Sequence, residues 1–530
     1  MKLPNNSQSL WLATSLGTNF PTLRANLTVD VAIVGAGITG LTAATLLKKA
    51  GLSVAVIEAE GVAEGVSGLT TAHLTEALDR SCRQLIKDMG EDNARLAAES
   101  ARVALARVGA FVDEAGLDCD FARLPGFRYT EDPEEMPELE AELEAAAVLG
   151  SEVTLTRDVP LPFKVAGALR FDGQAQFHPR GYLLPLALAI PGNGSRVFEH
   201  TRVTEVEDGK PCRVVTSQGT VTARHVILAT HAPFNNVLLQ TKVASYRSYV
   251  LALRLMAGEE PPVGLFWDTE DPYHYIRSHA SDGGPLLIVG GEDHKTGKDD
   301  DTTERFETLL AFAAARFKVA SVQYRWSAQV IEPVDGLPFI GRDPGSEHVY
   351  VATGYSGTGM TFGTLAAMIN TDLILDRKNP YQDLYDPGRF KAQASIVDYV
   401  KENVDFPVHL VTDRLKGAEA TSLAEVAKGE GKIVELAGEK TAVYRDDRGL
   451  LHAVSPVCTH MGCLVGFNNA EKTWDCPCHG SRFDKDGKVL NGPAVTPLAS
   501  RRDEAIVRDQ APSEALAGGR AKRSPRAGTR

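Results

Sequence analysis

Apolar positions change period twice within the first sixty residues. Val31-Ala-Ile-Val34 is a short continuous apolar run, the pattern of a strand buried on both faces. Leu41, Ala44, Thr45, Leu47 and Lys48 then recur at steps of three and four residues, which predicts a helix that Gly51 ends. Val54-Ala-Val-Ile57 returns to strand and stops on Glu58. Between the first strand and the helix lies Gly35-Ala36-Gly37-Ile38-Thr39-Gly40. Strand, glycine turn, helix, strand and terminal acid together suit a dinucleotide. Gly35 permits the tight turn, Gly37 lets the backbone approach a pyrophosphate, and Gly40 lets the helix pack close to the strand. Glu58, with Ala59 beside it, can accept from ribose hydroxyls.

No second fingerprint follows: Gly429-Glu-Gly431 lacks both the strand before it and the helix after it. A flavoenzyme fed by NAD(P)H usually needs two dinucleotide folds, so the nucleotide expected here is FAD, with electrons entering from an organic substrate.

Near the other end, Cys458-Thr-His460-Met-Gly-Cys463 is followed thirteen residues later by Cys476-Pro-Cys478-His479-Gly-Ser481. Each half offers one cysteine and one histidine, so two thiolates can hold one iron and two imidazoles the other, the ligand set of a Rieske 2Fe–2S cluster. Zinc is the alternative reading of short Cys/His spacings, although its usual pairs are Cys-x-x-Cys-like and both pairs here are mixed. The segment, including Pro477, Gly480 and Ser481, resembles the Rieske domains of respiratory and photosynthetic quinol-oxidising complexes over roughly the last hundred residues. That resemblance implies Cys458, His460, Cys476 and His479 as cluster ligands. It also implies a disulfide between Cys463 and Cys478 that pins the two loops together, and Ser481 as a donor to a bridging sulfide.

The first 390 or so residues resemble the D-amino-acid-oxidase-like flavoproteins, the superfamily of glycine, sarcosine and gamma-glutamylputrescine oxidases. Glu64-Gly-Val-Ser67-Gly68-Leu-Thr70-Thr71 matches the segment that wraps the pyrophosphate and ribityl chain. Thr201-Arg-Val203 matches the backbone that meets the adenine, and Val226-Ile-Leu-Ala229-Thr230 the strand returning to the nucleotide fold. Arg325-Trp326-Ser-Ala-Gln329-Val330, ending in Asp335-Gly336-Leu-Pro338-Phe-Ile340-Gly341, is similar to the segment running into the flavin site. In Tyr350-Val-Ala-Thr353-Gly354-Tyr-Ser-Gly357-Thr-Gly359-Met360-Thr361, the resemblance implies amides facing the flavin. Two departures matter. Val330 stands where glycine-oxidase-like relatives carry an arginine that grips the substrate carboxylate, so a simple alpha-amino acid is disfavoured. Thr70 stands where some relatives bond FAD through histidine, so FAD is expected to be non-covalent and His73 to be a packing residue.

Asp271-Pro-Tyr273-His274-Tyr275-Ile-Arg277 reads as a strand with Tyr273, Tyr275 and Arg277 on one face. The resemblance implies tyrosines above the flavin and makes these three the candidate catalytic residues; an ordinary sheet with aromatic cross-strand pairs is the alternative. Gly290-Gly291-Glu292-Asp293-His294-Lys295 is either a loop over the same site or a polar turn, and His178 with Pro179 positions a helix.

The expected architecture is an α/β FAD-binding Rossmann-like domain interleaved with an α+β substrate domain (residues 1–395), a linker (396–412), a small all-β Rieske domain (413–508) and a disordered basic tail (509–530). With 43% apolar and 24% charged residues the chain is globular. A net charge of −13 argues against nucleic acid as a partner. Neither a secretory pattern nor an apolar run approaching the roughly 18 residues of a membrane span is visible, which makes the cytoplasm the default and Cys82, Cys119 and Cys212 reduced thiols. The expected activity is that of an FAD-dependent dehydrogenase taking a hydride from the C–N bond of an amine or amino-acid derivative and passing electrons through its own cluster to an external one-electron acceptor. An oxygen-using oxidase with an auxiliary cluster and a non-catalytic redox sensor are the alternatives.

Overall fold

The computed structural model describes residues 3–4, 7–298, 301–389 and 417–501, so the expected linker 396–412 and the tail 509–530 lie outside the described residues. The apolar run belongs to a strand, Leu27–Val34, at the centre of an eight-stranded sheet. Val54–Ile57 and Thr220–Leu228 flank it in parallel, with Val31 opposite Val54 on one side and His225 on the other. Both faces of such a strand are covered, which is why Val31, Ala32 and Ile33 are all fully buried and the sequence does not alternate. The helix Ile38–Lys49 packs across the strands so closely that a Cβ on Gly40 would lie 2.0 Å from the Gly35 carbonyl oxygen. Gly35 itself has φ +106, a conformation that side chains rarely adopt.

The chain passes through this sheet three times, at Leu27–Ile57, at Arg196–Leu228 and at Phe339–Thr353, and leaves it twice in between. The excursions build a nine-stranded sheet that contains Ala122–Thr130, Gly167–Gln176, Val243–Leu255 and Val319–Pro333. The strand expected over Asp271–Arg277 is shorter and later, Tyr275–His279. Tyr275 and Arg277 therefore share a face, while Tyr273 comes from the preceding connection. The Gly290–Lys295 segment is neither loop nor turn: it is the second half of the strand Leu286–Lys295, paired with Val243–Leu255. His178 does cap a helix, Pro179–Ala189, by accepting from the Gly181 amide.

Residues 417–501 form two small sheets, Gly431–Leu436 with Glu439–Arg445 and Leu451–Val454, and Gly466–Asn468 with Thr473–Asp475, Arg482–Phe483 and Val489–Asn491. This unit docks on the long strands Val243–Leu255 and Val319–Pro333. Arg247, 1% exposed, meets Glu471 at 2.6 Å, and Arg482 meets the same Glu471 oxygen at 2.5 Å. Burial raises the Glu471 carboxyl, but Arg247 and Arg482 outweigh it and hold the group at about 2. The Thr302 hydroxyl oxygen lies 2.7 Å from the side-chain carbonyl oxygens of both Asn468 and Asn469, with one of which it hydrogen-bonds, and Lys488 reaches Glu60 at 2.7 Å. Among the described residues no helix is long and apolar enough to cross a membrane.

Two consequences are measurable. Gly40→Val should abolish FAD retention and destabilise the fold in a thermal melt, because the side chain has backbone rather than a flexible neighbour to displace. Glu471→Gln should cost about 3–5 kcal/mol in urea denaturation at neutral pH, the penalty of a buried arginine losing its partner. Glu471 has a folded-state pKa below its ordinary 4.5, so its contribution is present above pH 4.5 and is lost as pH falls towards 2; the gap between variant and wild type should close over that window.

Candidate functional site

A cavity of about 750 Å³ opens where the glycine turn meets the second sheet, within the size range of cofactor and ligand sites. Gly35, Ala36, Gly37, Ile38, Thr39, Glu58, Ala59, Ser67, Thr70, Thr71, Val203, Thr230, Gly357, Gly359 and Met360 line it. Gly40, Gly354 and Thr361 do not: Gly40 faces Gly35 in the packing contact, Gly354 turns the chain with φ +76 against Pro333, and Thr361 donates to the Thr75 carbonyl at 2.9 Å.

The turn is braced by side chains. Glu58 accepts from the Ala36 amide at 2.7 Å and from the Glu60 amide at 3.0 Å, which ties the glycine turn to the loop after the second strand; burial raises its pKa against these bonds. Each carboxylate oxygen has lone-pair capacity left for a ribose hydroxyl. Ser67 Oγ accepts from the Ile38 amide at 3.0 Å and would lie 2.8 Å from a Cβ on Gly37, so only glycine leaves the helix N-terminus open there. Thr70 and Thr71 are tied locally, to the Ala72 amide at 3.0 Å and to His73 Nδ1 at 3.1 Å. His73 and His231 both line the cavity, and each has a buried Nε2 without a partner among the described residues. Burial lowers their pKa values to about 3 and about 4, so both rings are neutral. A glycine turn at a helix start, a braced acid and unpartnered ring nitrogens suit an extended polar cofactor such as FAD.

The expected catalytic trio divides. Tyr273 and Tyr275 line the cavity with ring centroids 5.7 Å apart, and the Tyr275 hydroxyl hydrogen-bonds Ser248 at 2.8 Å. Arg277 does not line it. Its guanidinium donates to the carbonyls of Thr71, Ala72 and Phe177 and lies over the Trp11 ring, which makes it a clamp between the second sheet and the loop carrying Thr71. Burial lowers its pKa to about 9.

Sequence reasoning missed Asp79. It lines the cavity and accepts from the Gly357 amide at 2.6 Å, and a Cβ on that glycine would stand 2.8 Å from Tyr273 Oη and 3.3 Å from both Asp79 carboxylate oxygens. Burial raises the Asp79 carboxyl to about 6 against its bonds to the Gly357 and Thr358 amides. No motif marks this position. The cavity is also walled by Asn491, Gly492, Pro493, Ala494 and Val495 of the C-terminal unit, which no local pattern foretells.

In that unit two loops face one another. One closes by Gly462 N–H to Cys458 O at 3.0 Å and Cys458 N–H to Cys463 O at 2.8 Å; the other by Gly480 N–H to Cys476 O at 3.0 Å and Cys476 N–H to Ser481 O at 2.8 Å. Cys463 and Cys478 form a disulfide across them, and the Cys476 sulfur lies within 4.8 Å of both its sulfurs. The Cys458 and Cys476 thiols hydrogen-bond one another, which lowers Cys458 to about 7 and raises Cys476. The His460 and His479 rings stand 5.0 Å apart at 89°, both with pKa values lowered by burial, His479 to about 4. Two paired thiols and, on the same two loops, two paired imidazoles are the donor set a 2Fe–2S cluster needs. Cys82, Cys119 and Cys212 are free thiols, as expected.

Residues 30–373 match the family model "FAD dependent oxidoreductase", and residues 418–502 match "Rieske [2Fe-2S] domain". The chain is 35% identical over 495 residues to the putative Rieske 2Fe-2S iron-sulfur protein YhfW of Bacillus subtilis, covering 93% of this chain and 97% of that one. It is 27% identical over 401 residues to gamma-glutamylputrescine oxidoreductase of Escherichia coli, across 72% of this chain and 89% of that protein. Glycine oxidase from Geobacillus kaustophilus shares the fold with a TM-score of 0.59 at 22% identity, covering 69% of this chain and 99% of the other. These matches decide between cluster and zinc. The chain belongs to the FAD dependent oxidoreductase family, and it carries a C-terminal Rieske domain whose donor set implies a 2Fe–2S cluster beside the family's FAD.

Proposed function

We propose that this protein is a dehydrogenase that oxidises the C–N bond of an amine or amino-acid derivative and passes the electrons through its own Rieske cluster to an external one-electron acceptor. The observation that carries this reading is the shared wall: residues 491–495 of the Rieske domain line the same cavity as Gly35–Thr39. FAD supplies the two-electron step and the cluster accepts electrons singly.

In this reading Gly35–Thr39, Glu58, Ser67 and Thr230 orient the non-covalent nucleotide, and Cys458, His460, Cys476 and His479 hold the irons. Tyr273 and Tyr275 shape the substrate end, while Asp79 faces a substrate ammonium and accepts its proton. Glu76, Glu142, Asp268 and Glu270 line the cavity as well, against Arg128, which pairs with Glu142 at 3.9 Å, and Arg202 and Arg482, which pair with Glu60 and Glu471. That balance favours a cation over a carboxylate. The similarity to gamma-glutamylputrescine oxidoreductase and to glycine oxidase supports a C–N donor.

An anaerobic screen of amines and amino acids for flavin bleaching identifies the donor. A stoichiometric yield of hydrogen peroxide in steady state would replace the dehydrogenase reading with an oxidase. Cys476→Ser should abolish the Rieske electron paramagnetic resonance signal and turnover with ferricyanide, yet leave single-turnover bleaching by substrate intact; undiminished ferricyanide turnover would take the cluster off the electron path.

Asp79 generates a pH test. Its carboxyl is neutral below about 6 and anionic above, so KM for a cationic amine should rise about tenfold as pH falls through 6, the loss of about 1.4 kcal/mol of charge-assisted binding. Asp79→Asn should show the higher KM at every pH. An unchanged wild-type pH profile in that variant would remove Asp79 from the substrate site.

A further inference from the structure

The Rieske loop that carries Cys476 and His479 touches the flavin half through backbone, with no room between them. A Cβ on Gly480 would stand 2.1 Å from Ser245 Oγ, and a Cβ on Gly297 would stand 2.8 Å from the Pro477 nitrogen. Gln329 sits at this contact. Its Nε2 donates to the Gly480 carbonyl and to Ser245 Oγ, both at 2.8 Å, in a buried environment. The backbone of the same residue is hydrogen-bonded to the ring of His231, whose Nε2 stands unpartnered in the cavity wall. One residue thus joins the wall of the flavin cavity to the peptide next to a cluster ligand. Behind it, the buried Arg247–Glu471–Arg482 group fixes the orientation of the whole domain.

We propose that Gln329 is the positioning residue for electron transfer inside this chain: it seats the Gly480 peptide on the flavin cavity wall, so that an electron crosses to the cluster with the Rieske domain docked throughout. This rests on the electron path of the proposed function. The step is balanced: the reduced flavin loses one electron, and one ferric iron of the cluster becomes ferrous. The second electron follows once the external acceptor has taken the first. Rigid docking also has a consequence for that acceptor. The face of the cluster loop at Pro477 and Gly480 is covered by the protein's own flavin half, so the acceptor must approach the domain elsewhere.

The test needs no knowledge of the substrate. Anaerobic flash photolysis of the holoprotein with a photoreductant injects one electron into the flavin, and the growth of the reduced-cluster absorbance reports its transfer. The wild-type rate should be first order and independent of protein concentration. Gln329→Leu should slow it about tenfold, the loss of about 1.4 kcal/mol of docking from two neutral hydrogen bonds. FAD content, cluster g-values and midpoint potential should stay as in the wild type, and amide exchange across residues 476–481 should rise. Should the leucine variant fail to load its cofactors, Gln329→Asn keeps the amide but withdraws it by one methylene, and should give an intermediate rate. Wild-type rates in either loaded variant would overturn the role of Gln329 alone. A wild-type rate that rises with protein concentration, or no transfer to the cluster while the flavin is reduced, would overturn the intramolecular path itself.

Discussion

A buried arginine must find its counter-charge, and in this fold Arg247 finds it in another domain. Glu471 is the carboxylate within reach, and two further guanidinium nitrogens of Arg247, Nε and Nη1, have no partner among the described residues. The pair is therefore an obligation more than a bonus: with both partners present it roughly breaks even against its desolvation, and with one removed a buried charge is stranded. What such a contact contributes is position. Arg482, held by Asp475, fixes Glu471 within the Rieske unit, and Arg247 joins that carboxylate to the flavin half by a directional charge-assisted bond rather than an apolar patch that could slide.

From that alignment follows the composition of the site. The strand Val319–Pro333 passes from the docking contact to the cavity, so alternate residues along it serve different partners. Ser327 bonds Arg247, Ala328 and Val330 line the cavity, and Gln329 does both, bonding Gly480 and lining the cavity. Period-two geometry makes this possible, since neighbouring side chains point to opposite faces. A single strand carries both faces of the junction, and any shift of it moves both together.

How much of this the sequence disclosed depends on the range of the interaction. Gly35, Gly37, Gly40 and Glu58 were legible because strand, turn and helix are contiguous and the steric need is local; the 2.0 Å approach at Gly40 is what the motif encodes. The pairing of Cys463 with Cys478 follows from resemblance, and the structure pairs them. Of the three expected catalytic residues, Arg277 alone stands outside the cavity lining. Its place on the face shared with Tyr275 is right, but two residues along a strand is far enough to leave the cavity and enter the Thr71–Phe177 carbonyl cluster. Asp79 and the Asn491–Val495 wall were invisible, because each meets the cavity through contacts distant in sequence.

The docked geometry also bears on why the Rieske half keeps its own disulfide and two compact sheets although it leans on a large neighbour. A cluster site works only if its four ligands hold their places while electrons arrive and leave, and a ligand loop that packed only against another domain would move with every breath of that interface. Here the loops are closed first within the unit, by backbone bonds and the Cys463–Cys478 bridge, and only then seated on Ser245 and Gln329. The interface can then tune the approach of the cluster without defining the cluster itself. Position and coordination are set by separate sets of contacts, which is why a substitution at Gln329 can alter one and spare the other.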